Sequence, residues 1–116
     1  MSDQPSTPEP SALEKTQALL ASLWQRNLPT LRQRLDTLDQ AVAVEPIAPG
    51  LLNEAIIIAH KLSGSLGLFG HHHATEIARE LEHLFRNPSS AAPGRTKFLT
   101  QELRTTLALP EAPPTA

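Results

Sequence analysis

The stretch Leu51–Gly70, "LLNEAIIIAHKLSGSLGLFG", decides how this chain folds. With residues placed about 100° apart on a helical wheel, Leu51, Leu52, Ala55, Ile58, Ala59, Leu62, Leu66 and Phe69 fall within about 60° of one line. That is the core face of a helix, and it predicts one from about Leu51 to Phe69. On the same wheel His60 lies about 140° from the core line, Gly64 about 180° and Gly67 about 120°. These three share an outward stripe, with Asn53 above them. Each glycine inside a helix costs roughly 1 kcal/mol relative to alanine, on a face where core packing cannot excuse it. The gain is clearance. Gly64 stands one turn beyond His60, where any side chain would crowd the imidazole. Ile56, Ile57 and Leu68 fall outside the core stripe and flank the histidine, which outlines a docking patch. Gly70 follows the last core residue and reads as a helix C-cap or turn.

The same periodicity extends outward in both directions. Ala74, Ile77, Ala78, Leu81, Leu84 and Phe85 predict a helix over about 71–86, and Phe98, Leu99, Leu103 and Leu107 a weaker one over about 95–108. Upstream, Ser11 with Glu14 three residues on is a capping-box signature, followed by an apolar stripe of Leu13, Leu20 and Trp24. Leu28, Leu31, Leu35, Leu38 and Val42 continue at bundle spacing. Pro29 predicts a division here, a short helix to about Asn27 and a second from about Leu28 to Val44. The interior breaks are "EPIAPG" at 45–50 and "NPSSAAPG" at 87–94. Residues 1–10 read as a disordered tail and 109–116 as a Pro-rich tail or linker, leaving 11–108 as the folded unit. Strand alternation and hairpin signals are absent. The expected fold is all-α, an antiparallel four-helix bundle with an additional short N-terminal helix.

Composition removes most chemistries. A chain of 116 residues fits one domain, and with only Trp24, Phe69, Phe85 and Phe98 as aromatics its core must be aliphatic. Ten basic residues against twelve acidic ones, with no basic block, argue against nucleic acid as a partner. The absence of cysteine excludes disulfides, thiol nucleophiles and thiolate metal sites. "AIIIA" at 55–59 is too short to span a bilayer, and no signal sequence opens the chain, so a cytoplasmic protein without membrane contact is expected. The run "HHH" at 71–73 invites a metal, but consecutive helical residues point about 100° apart and cannot converge on one ion. No metal site is expected, and these histidines read as solvated residues opening a helix. Neither a hydrolytic triad nor a phosphate-cradling glycine loop is present. What remains is an accessible imidazole, a neutral nucleophile near pH 7, for which phosphoryl transfer is well suited.

"AHKLSGSLGLFG" at 59–70 followed by "ATEIARELE" at 74–82 resembles the histidine-containing phosphotransfer (HPt) domain of two-component phosphorelays. The matching positions are His60, Leu62, Gly64, Ser65 and Gly70, with the next helix carrying Leu81 and Glu82. The resemblance implies that His60 is phosphorylated and exchanges the group with a receiver-domain aspartate or a sensor kinase. It implies a phosphocarrier without catalysis of its own, no cofactor on this chain, Mg²⁺ on the partner receiver, and a monomer. Many members carry lysine three residues after the histidine, where this sequence has Ser63; the nearby cation is Lys61. The docking set is then Lys61, Gly64, Gly67, Ile56, Ile57, Leu68 and Asn53. The alternative is a non-catalytic helical adaptor or dimerisation bundle that binds a signalling partner through the His60 face.

Overall fold

The computed structural model describes residues 11–109, so the expectations for the two tails lie outside the described residues. Among the described residues four α-helices follow one another: α1 Ala12–Val42, α2 Pro49–Leu68, α3 His72–Arg86 and α4 Arg95–Leu107, with a 3₁₀ turn at Pro88–Ser90. No strand occurs among the described residues. α1 packs on α2 and α4, and α3 packs on the same two, which closes a four-sided bundle. The α2–α3 hairpin is antiparallel. His60 meets Glu82, and two turns further along α2 Gly67 meets Thr75, two turns back along α3. Likewise Arg95 pairs with Glu80 and His73 with Glu102 across α3 and α4.

The core is aliphatic, as the composition requires. Leu31, Leu35, Leu38, Leu62, Leu66, Leu81 and Leu103 are fully buried around one aromatic ring, Phe85. Each buried leucine contributes roughly 1.5–3 kcal/mol by leaving water. Among the described residues, the one charged group sunk into this core is Arg104, whose Nε donates to Asp39 at 2.8 Å and whose Nη2 donates to Asp36 at 2.7 Å. Its Nη1 donates to the Leu109 carbonyl at 3.1 Å. Burial opposes the charged guanidinium, but hydrogen bonds to Asp39 and Asp36 outweigh it and raise its pKa above the ordinary arginine value. This clamp ties the end of α4 to the C-terminal part of α1. Leu109, one residue past the expected boundary of the bundle, is buried with it.

Three expectations about the helices and their packing need correction here. The break at Pro29 does not occur: α1 is one helix of 31 residues with Pro29 inside it, and among the described residues there is no separate N-terminal helix. Proline removes one helical hydrogen bond and crowds the preceding turn, at about 3 kcal/mol. Here Gln25 and Pro29 are both exposed, so the carbonyl left without its donor faces water. Trp24 on one side and Leu31 on the other anchor the two halves to the bundle, which holds them in line. Second, Phe98 is not core; it is 52% exposed, with the Arg95 guanidinium over its ring at 5.6 Å. Third, His71 is not a solvated residue. It is half-buried and lies against Trp24, ring centres 4.4 Å apart, while Phe69 meets the same indole edge-on at 5.2 Å.

The turn between α2 and α3 fixes their relative register. Gly70 adopts φ +81°, which glycine tolerates without a Cβ penalty. The His71 N–H returns to the Leu66 carbonyl at 2.9 Å and the Gly70 N–H to the Gly67 carbonyl at 3.1 Å. That pair of bonds is a Schellman cap, which closes α2 and starts α3 almost at once.

Candidate functional site

His60 projects from the outer edge of α2 where α3 crosses alongside. Its side chain is 69% exposed, as the wheel predicts, but the ring is not free to turn. Nδ1 lies 3.1 Å from Glu82 Oε2 and 3.3 Å from Oε1. An ionised carboxylate can only accept, so Nδ1 is the protonated nitrogen that donates. Nε2 is therefore the nitrogen with a free lone pair, and it sits at the solvent end of the ring. A hydrogen bond that selects the tautomer also selects the nucleophilic atom.

Glu82 is itself held. Arg86, one turn on, donates from Nε to the same Oε2 at 3.0 Å, and its Nη2 completes the ion pair at 2.9 Å. Partial burial of Glu82 favours its neutral form, but hydrogen bonds from Arg86 and His60 outweigh this and hold its carboxyl below the ordinary glutamate value. The carboxylate thus keeps its charge to lower pH than an ordinary glutamate does. Glu82 and Arg86 were not singled out by wheel geometry; Glu82 entered only as the end of the resemblance motif.

The remaining predicted residues sort by environment. Gly64 is exposed, and a Cβ built on it would meet nothing within 4 Å, so no packing demand explains this glycine. Gly67 is also exposed, but a Cβ there would touch Thr75 Oγ1 at 3.7 Å; it faces α3 as well as solvent. Asn53 and Lys61 are exposed on α2. Ile57 and Leu68 are exposed at 53% and 66% and can flank a docking partner. Ile56 is a correction: it is half-buried and packs against the core, because its position faces α3. Ser63 donates its hydroxyl to the His60 carbonyl at 2.8 Å and so turns away from the imidazole.

Among the described residues no group of three or more histidine, aspartate or glutamate side chains stands close enough to hold a metal ion. Of the 71–73 histidines, His71 lies against Trp24, and His73 Nε2 stands 3.5 Å from Glu102 Oε1. No helix among the described residues is long and apolar enough to cross a membrane. The site therefore offers one thing chemically: a fixed, outward nitrogen nucleophile backed by a carboxylate. Compared with known families, residues 22–109 match the model of the Hpt domain. No curated protein and no solved structure matches the chain.

Proposed function

Because the chain belongs to the Hpt domain family, phosphocarrier modules that work by histidine phosphotransfer in two-component phosphorelays, we propose that His60 is the residue that carries the phosphoryl group here. The observation that supports this best is the divided imidazole, with Nδ1 bound to Glu82 and an accessible Nε2. In the forward step the Nε2 lone pair attacks phosphorus of a receiver's aspartyl phosphate. The N–P bond forms, the acyl P–O bond breaks, and the aspartate carboxylate leaves. No proton has to move, because the attacking nitrogen carries none. The ring becomes a cation with its proton still on Nδ1, and Glu82, 3.1 Å away, offsets that charge. The reverse step returns the group to an aspartate.

In this reading the receiver supplies Mg²⁺ and the acceptor carboxylate, and this chain supplies only the positioned ring. It is a carrier rather than an enzyme, and it works in the cytoplasm, where receivers and kinase transmitter domains reside. Docking falls on the α2 face around His60, with Gly64 open and Ile57, Leu68, Lys61 and Asn53 around it. The test is transfer from radiolabelled phospho-receivers to wild type and to His60→Gln. Acid-labile label on the wild type and none on the variant is expected. Equal label on both proteins ends the proposal.

A further inference from the structure

A phosphoryl group on Nε2 brings about two negative charges to the surface at pH 7, and the position three residues after the histidine, lysine in many members of the family, is occupied by the uncharged Ser63, whose hydroxyl is bound to the His60 carbonyl. The hairpin register brings another cation level with this position. Since His60 meets Glu82 and Gly67 meets Thr75, the α2 turn carrying Ser63 and Gly64 lies level with Ala78 and Arg79 of α3. Ala78 is buried and Arg79 is exposed. Thr75, Arg79, Glu82 and Arg86 follow the spacing of one helical stripe, so Arg79 lies on the flank that borders α2, one turn from Glu82. Arg86 on the other side is committed to Glu82. Arg79 has no ion pair among the described residues. Level with it on α2 stand two small residues, Ser63 and Gly64, with Gly67 one turn on, which leave room for a long guanidinium to lie across α2.

Resting on the reading of His60 as the acceptor, we propose that Arg79 binds the phosphoryl oxygens of phospho-His60, supplying from α3 the cation missing at Ser63. A guanidinium fork matches two phosphoryl oxygens in a way an ammonium cannot. It also gives the small residues on α2 a second use: they admit the arginine from one side and the partner from the other. Lys61 lies about 100° around α2 from His60, away from this flank.

The test uses the full chain phosphorylated by phosphoramidate, in which the donor's N–P bond breaks and ammonia leaves. The ³¹P shift of the product is then titrated to find the pH at which its phosphoryl group loses its last proton. An adjacent cation lowers that pH. Arg79→Gln should raise it by about half a unit, the size of one partly exposed charge interaction. Arg79→Lys should restore part of the difference, and Ser63→Lys placed in the Arg79→Gln background should restore it again. An unchanged midpoint in Arg79→Gln overturns the proposal, as does a shift seen instead in Lys61→Gln. Wild type that takes no label on Nε2 removes the acceptor reading, and the Arg79 proposal with it. A labelled wild type with an unmoved midpoint removes only the latter.

Discussion

Replacing Gly64 should make this protein more stable and less useful. Gly64 lies inside α2, exposed, and an added Cβ meets nothing within 4 Å. Gly64→Ala therefore gains the helix-propensity difference of about 1 kcal/mol with no clash to offset it. For a domain of this size that corresponds to a rise in melting temperature of about 4–8 °C. Leucine is nearly as good a helix former, so Gly64→Leu should also melt above wild type. Transfer should move the other way. The leucine side chain stands one turn beyond His60, on the approach to Nε2, and displacing a reacting atom by about 1 Å can cost on the order of 100-fold. We expect Gly64→Leu to slow transfer from a phospho-receiver at least about tenfold, and Gly64→Ala to slow it only modestly. Thermal melts followed by circular dichroism, alongside rapid-quench transfer, read both quantities on the same samples. A Gly64→Leu protein that melts below wild type, or transfers at the wild-type rate, refutes the clearance argument.

Two further perturbations separate the site from its scaffold. Glu82→Gln keeps an acceptor for Nδ1 but removes the charge that offsets the phosphorylated ring. After discounting for the exposure of His60, the loss is about 1 kcal/mol, or roughly fivefold in transfer rate. The same variant has a pH signature. Burial works against the Glu82 charge, but hydrogen bonds from Arg86 and His60 leave its carboxyl more acidic in the folded protein than in the unfolded chain. Its contribution to stability is thus complete above the ordinary glutamate range and is lost as pH falls through the depressed value. Urea denaturation across the acid range should show a shallower loss of stability in Glu82→Gln; identical acid limbs would contradict the network. On the far side of the bundle, Asp39→Ala leaves the buried Arg104 with Asp36 as its one remaining carboxylate. The expected cost is roughly 2–3 kcal/mol, below that of a fully broken buried pair, with His60 labelling unchanged in the folded fraction. A cost under about 0.5 kcal/mol would mean that the clamp is not a significant anchor of α4.

The sequence carried the helical faces but not the contacts between them. Leu51–Phe69 could be oriented from its own spacing, because eight apolar positions on one line leave little choice of buried side, and His60 then had to face outward. Pro29 misled for a physical reason: its local penalty is visible in the sequence, whereas the anchoring of Trp24 and Leu31 that outweighs it exists only after packing. Phe98 misled because hydrophobicity alone does not say which of two adjacent residues faces inward; Leu99 does, and Phe98 is left beside Arg95. Ile56 failed similarly, since a wheel knows one core direction and cannot represent a neighbouring helix on its flank. Glu82 was within reach. His60 and Glu82 are equally far from His71, so a hairpin folded tightly at Gly70 brings them opposite each other, and that count required only confidence in the turn.

The Schellman cap at Gly70 behaves as a ruler. It leaves no slack between α2 and α3, so the distance along the chain from the pivot to His60 and from the pivot to Glu82 must stay matched. One residue inserted at 69–71 would rotate α3 by about 100° against α2 and carry the carboxylate off the imidazole, with the cores of both helices still apolar enough to pack. The connection at 87–94 bears no such restriction on the histidine. Residues added to that loop should therefore leave the His60–Glu82 pair in place, while one added at Gly70 should break it.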